Sequence, residues 1–395
     1  MRAWFAIACE MLILSGCSAG EVPTHPTSAV APLAPLASSG GYTTIYRFKN
    51  VPDAAYPNAG VIAGLEALYG TTHVGGKQNL GTVFLVTTNG QERLLYQFQG
   101  GSDGEYPDAT VTAMNGALYG TTTEGGASDA GVVFEITPAG KERVVHAFSG
   151  GADGASPYDA LLAYDGALYG TTSAGGANGD GTAFKIDRSG KLQVLHSFGA
   201  TAADGQTPLG GLISVGAALY GTTYSGGAHN DGTVFALNSS GERVLYSFGA
   251  STNDAANPRA GLIYANGSFY GTTAYGGTAD DGTTFEITAQ GSEKILHSFQ
   301  GNPDGRNPYD SLTVWHGTLY GTTYGGGNTG GCSQFNGCGT IFKVTPSGSE
   351  QVLYNFQSNP DGSGPWGGVT IYGGAFYGAA STGGNGCGTI FRISP

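Results

Sequence analysis

Apolar positions recur along this chain in short runs, and the runs themselves recur in a fixed order. Arg143-Val144-Val145-His146-Ala147-Phe148 is followed by a polar loop, Asp153-Gly154-Ala155-Ser156-Pro157, and then by Ala160-Leu161-Leu162-Ala163. Asp165-Gly166 turns the chain into Ala167-Leu168-Tyr169-Gly170-Thr171-Thr172. A Gly-Gly loop then leads to Gly181-Thr182-Ala183-Phe184-Lys185-Ile186. Runs of this length, rich in Val, Ile, Leu, Tyr, Phe and Thr and bounded by Gly, Pro, Asp and Asn, predict strands. No window of a dozen residues carries a helical period with caps, so almost no helix is expected.

The hexapeptide Ala117-Leu118-Tyr119-Gly120-Thr121-Thr122 fixes the period. Its Tyr-Gly pair returns at Tyr69, Tyr119, Tyr169, Tyr220, Tyr270, Tyr320 and Tyr377, at spacings of 50, 50, 51, 50, 50 and 57 residues. A period of that size marks a repeat architecture. Four strands per repeat make one propeller blade. Fourth-strand runs end at Phe48, Phe98, Phe148, Phe198, Phe248, Phe299 and Phe356. The third-strand Phe falls at Phe84, Phe134, Phe184, Phe235, Phe285, Phe342 and Phe391. The two sets are offset: the chain enters with a fourth strand and leaves after a third. The expectation is an all-β, seven-bladed β-propeller with four antiparallel strands per blade, its N-terminal strand completing the last blade. Such closure removes an open sheet edge.

Composition agrees with packed sheets. The chain has 71 Gly, and 11% of its residues are charged, against roughly 25% in average domains. Gly within strands suits close backbone approach. The net charge of −13 argues against nucleic acid, whose binders present basic patches, and against anionic lipid at the domain surface. A monomer is expected.

Residues 1–16 read as a signal peptide, 17–41 as a tether and 42–395 as one propeller domain. Arg2 precedes an apolar run too short to span a bilayer. Leu14-Ser15-Gly16-Cys17 resembles the lipobox of bacterial lipoproteins, which implies cleavage before Cys17 and lipidation of its thiol. Ser18 after it resembles lipoproteins sent to an outer membrane. The tether holds Pro23, Pro26, Pro32 and Pro35 and would reach at most ~75 Å as a polyproline-like chain. Membrane contact is thus expected only through the lipid.

The run Leu-His/Tyr-x-Phe, Asp-Gly-x-x-Pro, Leu-Tyr-Gly-Thr-Thr, Gly-Gly, Gly-Thr-x-Phe resembles the GloVer-type bacterial tandem repeat across residues 42–395. The resemblance implies a secreted or anchored envelope protein. It carries no catalytic residues that could be transferred.

In an exported chain a disulfide is expected. Cys332–Cys338 would staple the one long insertion, Gly330–Cys338, and a bridge from Cys387 is the alternative. Cys-x-x-Cys spacing is absent, so no metal site is expected from the cysteines.

The Asp sixteen residues before each Tyr (Asp53, Asp103, Asp153, Asp204, Asp254, Asp304 and Asp361) and the Pro four residues later are present in every repeat. A ring of carboxylates for Ca²⁺ is one reading; a turn, with Asp accepting backbone N–H bonds, is the favoured one. No cofactor is expected. His146, His196 and His297 replace the Tyr of other repeats and read as packing. His73, His229 and His316 read as loop residues with no spaced partner, and no catalytic triad emerges.

A binding site on a propeller breaks its symmetry. Directly after the blade-entry Pro come Asn58, Asp108, Tyr158, Leu209, Arg259, Tyr309 and Trp366, with Asp159 and Asp310 beside two of the tyrosines. Neighbouring loops on that face add His73, Tyr224, His229, Tyr275 and Tyr324. The candidate ligand-binding set is Tyr158, Asp159, Tyr224, Arg259, Tyr309, Asp310, Tyr324 and Trp366. Aromatic plates beside carboxylates suit sugar rings. The first functional expectation is a surface-anchored, non-catalytic binding module for a glycan or an envelope protein. The alternatives are a glycoside hydrolase or polysaccharide lyase using Asp159 and Asp310, and a purely structural envelope component.

Overall fold

The computed structural model describes residues 41–394 except 65–66, 329–330 and 333–335. The expected signal, Cys17 and nearly all of the tether lie outside the described residues. Seven four-stranded antiparallel sheets follow one another as blades. Blade 3 is typical: Leu162–Tyr164, Ala167–Thr172, Thr182–Ile186 and Leu192–Ser197, in that order across the sheet. First strands of neighbouring blades touch, so they line the axis. No α-helix occurs among the described residues. One 3-10 turn covers Gly101–Asp103.

The ring closes through its ends. Tyr42–Arg47 pairs antiparallel with Thr389–Ile393 and forms the fourth strand of blade 7. The first strand of blade 1 lies against that of blade 7.

The repeated residues explain themselves through contacts between blades. Each fourth-strand Phe meets the third-strand Phe of the next blade edge-on, from Phe48–Phe84 at 5.2 Å to Phe356–Phe391 at 5.3 Å between ring centroids. All fourteen rings are buried. The second-strand Gly makes room for them. A methyl group on Gly120 would lie 2.4 Å from the Phe134 ring, and one on Gly378 would lie 2.5 Å from Phe391. The first Thr of the hexapeptide donates to a backbone carbonyl of the next blade: Thr71 to Ala109 (2.8 Å), Thr171 to Gly210 (3.0 Å), Thr222 to Ala260 (2.7 Å). The second Thr bonds the third-strand Thr of its own blade, as in Thr172 and Thr182 at 2.9 Å. Hydroxyls that would be costly if unpaired are thereby satisfied inside the core.

The seven aspartates are turn residues, each bonded to the fourth-strand aromatic before it. Tyr96 Oη donates to Asp103 at 2.9 Å and Tyr46 Oη to Asp53 at 2.9 Å. His297 Nε2 lies 2.9 Å from Asp304. Six of them also accept a backbone N–H from four residues earlier. His146, His196 and His297 thus do more than pack: each stands edge-on to its Phe and holds the Asp of its own turn.

A third group joins this cluster in five blades. Glu92, Glu142, Glu242, Glu293 and Glu350 begin the fourth strands, and Oε1 of each is buried with no hydrogen-bond partner among the described residues. Burial, then the neighbouring Asp charge, pushes each carboxyl up to about 7. A carboxyl raised in the folded state contributes stability below its unfolded value, and that contribution is lost as pH rises through about 7. Glu242→Gln is therefore expected to raise the urea midpoint at pH 8 and leave it nearly unchanged at pH 4.5. Partial exposure keeps the gain small. An equal change at both pH values would contradict this account.

Cys332 and Cys338 form the disulfide, with Cα atoms 5.1 Å apart. Both are buried against Tyr320 and Ile341. Cys387 is buried and lies outside the bridge.

Candidate functional site

Each blade is entered through Asp-x-x-x-Pro, and that segment is tied to the loop between the second and third strands of the same blade. Ala54–Ala55 pairs with Val74–Gly75, Gly205–Gln206 with Ser225–Gly226, and Ala255–Ala256 with Tyr275–Gly276. Single bridges do the same in blades 2, 3, 6 and 7. Both loop families therefore share one face. The residues after each Pro converge at its centre.

There they line a pocket with an empty volume of about 420 Å³, including its open mouth. Asn58, Asp108, Tyr158, Asp159, Arg259, Tyr309, Asp310 and Trp366 contribute, joined by Ala59, Thr110 and Leu209. Six of the eight candidate residues are in this wall. Tyr324 reaches it through ring contacts with Tyr309 (5.3 Å, stacked) and Trp366 (5.4 Å, edge-on). Tyr224 is not in the wall, but its hydroxyl lies near enough to feel the Arg259 charge, and its carbonyl accepts Asn257 Nδ2 at 2.9 Å. Tyr275 lies exposed on the rim. His229 is exposed in a loop of blade 4. His316 stands in the hairpin between the first two strands of blade 6, on Trp315, away from the mouth.

The pocket has an aromatic side and an acidic side. On the aromatic side, Tyr309, Tyr324 and Trp366 meet one another. The Arg259 guanidinium carbon lies 4.7 Å from the Tyr309 centroid and 5.2 Å from that of Trp366. Burial raises the Tyr309, Tyr324 and Tyr224 hydroxyls, so they remain hydrogen-bond donors across physiological pH.

On the acidic side, Asp108 accepts from Asn58 Nδ2 at 3.1 Å and lies 2.9 Å from His73 Nδ1. The expectation that His73 lacks a partner is thus corrected. Its partner is 35 residues on, because the loop of one blade abuts the entry of the next. The His73 ring also stacks on Tyr106 at 4.8 Å. Burial alone would lower its pKa, but the Asp108 carboxylate more than offsets this and holds it above the usual value.

Asp159 and Asp310 lie deep beside the axis, surrounded by protein yet keeping some surface open to the pocket. Asp159 accepts the N–H of Ala160 and that of Gly211 in the next blade, both at 2.6 Å. Asp310 accepts Ser311 N–H at 2.6 Å and Gly368 N–H of the next blade. Each carboxylate clips two blades together. Burial raises both, and the charge of Asp310 further raises Asp159; two carboxyls in one poorly solvated site favour a single negative charge.

Three ligand-type atoms converge at two other places, His196–Asp204–Glu242 and His297–Asp304–Glu350. Both belong to the outer cluster found around the ring. In other blades a Tyr hydroxyl takes the place of the His nitrogen, as Tyr246 does with Asp254 and Glu293. The arrangement serves the blade edge with or without a metal-binding side chain.

Solved structures similar to this chain are propeller proteins. Virginiamycin B lyase from Staphylococcus aureus superposes with a TM-score of 0.57 at 15% identity, covering 90% of this chain and 98% of that one. A streptogramin B lyase gives 0.56 at 14%, covering 90% and 99%. A puromycin hydrolase gives 0.52 at 14%, covering 83% of this chain and 50% of its own. At such identities the likeness concerns the propeller scaffold alone. No curated protein matches the sequence. The Gloeobacter/Verrucomicrobia repeat matches residues 33–235 and 143–335. Those spans cover most of the ring, and the chain belongs to the Gloeobacter/Verrucomicrobia repeat family.

Proposed function

We propose that this propeller is a binding module of the bacterial envelope whose axial mouth takes a glycan. The observation that carries the reading is the broken symmetry of one position: the residue after the entry Pro changes type from blade to blade, and these residues form one pocket. Stacked aromatic faces suit the apolar face of a sugar ring, and Asn58, Thr110 and the tyrosine hydroxyls suit its hydroxyls. In this reading Cys17 carries the lipid and residues 17–41 hold the ring away from the membrane.

Binding without chemistry is favoured because Asp159 and Asp310 spend their oxygens on backbone N–H groups. A hydrolase or lyase reading has one observation on its side: Asp108 orients His73 as a carboxylate orients a general base.

Tyr309→Ala combined with Trp366→Ala is expected to weaken glycan binding by about ten- to hundredfold, from two ring contacts worth about 0.5–1.5 kcal/mol each beyond area burial. A glycan array followed by calorimetry reads this, with circular dichroism confirming the fold. Absence of any glycan ligand would end this reading. Release of a cleaved or unsaturated sugar that stops in His73→Ala would replace it with the enzymatic one.

A further inference from the structure

We infer that Arg259 is an anion receptor and that the ligand is a sugar acid, a ring bearing a carboxylate, presented at the end of a chain. This rests on the glycan reading above and sharpens it.

The guanidinium has unspent donors. Among the described residues Arg259 makes no hydrogen bond and no ion pair; its contacts are the faces of Tyr309 and Trp366. This holds in a pocket that also contains three carboxylates. Each of those is engaged elsewhere: Asp108 with His73 and Asn58, Asp159 with Ala160 and Gly211, Asp310 with Ser311 and Gly368. The Arg259 charge is felt instead at the hydroxyls of Tyr309 and Tyr224. A half-buried guanidinium lying over two rings keeps its planar N–H edges for a guest, and that fork matches a carboxylate with two parallel hydrogen bonds.

The pocket is closed at its floor, so a guest enters only from the mouth. Below the mouth the entry segments pinch together. A methyl group on Gly60 in blade 1 would lie 3.3 Å from Thr110 of blade 2, 3.7 Å from Asp310 of blade 6 and 3.7 Å from Gly368 of blade 7. Atoms of four blades thus meet within reach of one methyl, which leaves no bore for a polymer. The pocket is a cup that takes a chain end. The carboxylate faces Arg259, which covers Tyr309 and Trp366, and hydroxyls face Asn58 and Thr110.

The test is calorimetric titration of the whole protein with matched probes: trisaccharides ending in glucuronic or galacturonic acid, and their glucose- or galactose-ended neutral counterparts. The acidic probes are expected to bind about tenfold or more tightly, with a preference that shrinks in high salt. Arg259→Gln should abolish the preference, read as the ratio of acidic to neutral affinity rather than as either affinity alone, with the melting temperature checking the fold. Arg259→Lys should restore part of it, since an ammonium supplies charge without the fork. Equal binding of acidic and neutral sugars overturns the sugar-acid inference and leaves the glycan reading standing. A preference that survives Arg259→Gln overturns the role of Arg259. Binding of neither probe set overturns both.

Discussion

A chain beginning at Asn50 is expected to lose the folded propeller. It lacks Tyr42–Arg47, which supplies the fourth strand of blade 7, and Phe48, whose ring meets Phe84 across the blade 7–blade 1 boundary. Tyr42 is lost with it. That ring stacks on Tyr354 at 4.0 Å and touches Phe356 and Phe391, and its hydroxyl donates to the Asp361 carbonyl at 3.0 Å. Deleting one buried Phe side chain costs about 3–5 kcal/mol, while a whole domain is held by only about 5–15 kcal/mol. Removing two buried aromatics and a strand's worth of ladder bonds therefore exceeds the margin. Thr389–Ile393 would also become an open edge, a template for pairing with another chain. Size exclusion and a thermal melt followed by circular dichroism check this. The expected result is aggregated material with no cooperative transition, while Phe48→Ala alone should keep the transition at reduced stability. A truncated monomer melting within a few degrees of the full chain would show that the ring does not depend on this closure.

That dependence was legible in the sequence because a sevenfold repeat states each contact seven times. The offset between the two Phe series located the closing strand, and the recurring Asp and Pro marked the turns. Two things were not legible. The fourth strand carries a bulge in every blade, where two residues oppose one; Val145 is passed over between Val144 and His146. Nothing in Leu-His/Tyr-x-Phe distinguishes that from a regular strand, yet it is where the strand aims its Tyr or His at the Asp. The five strand-opening Glu residues look like ordinary solvent-facing charges until the neighbouring Asp turn is seen to cover them.

The site shows a similar division. The variable position after Pro could be read from one chain, because the repeat supplies its own alignment. The partners of those residues could not. Asp159 and Asp310 look like a catalytic pair by composition, but each accepts one backbone N–H from its own blade and one from the following blade, Gly211 or Gly368. The His73–Asp108 contact, 35 residues apart, follows from blade adjacency, as does Thr71 to Ala109, 38 residues apart. A search at a spacing of 35–39 residues would have found both.

Gly181→Ala is expected to cost about 2–6 kcal/mol, about twice the cost of Gly179→Ala two residues away. Gly181 opens the third strand of blade 3 in the Gly-Thr-x-Phe motif. Both glycines have positive φ, +98° and +90°, so an alanine is strained at either; that alone costs about 1–3 kcal/mol. The surroundings differ. A methyl group on Gly179 meets nothing within 4 Å, whereas one on Gly181 would lie 2.2 Å from the Thr172 carbonyl oxygen and 2.8 Å from Cδ of Pro208 in the next blade. Neither neighbour yields cheaply: the carbonyl is backbone of the second strand, and the proline ring fixes the entry to blade 4. Overpacking adds about 1–3 kcal/mol. The same pair of contacts recurs around the ring, from Gly81 with Pro107 to Gly388 with Pro57. The Gly of one repeat and the Pro of the next are thus two halves of one joint, which is why neither varies in any of the seven repeats of this sequence. Urea unfolding of the two single variants separates strain from contact. Equal losses would assign the whole cost to φ and leave the glycine–proline joint without energetic weight.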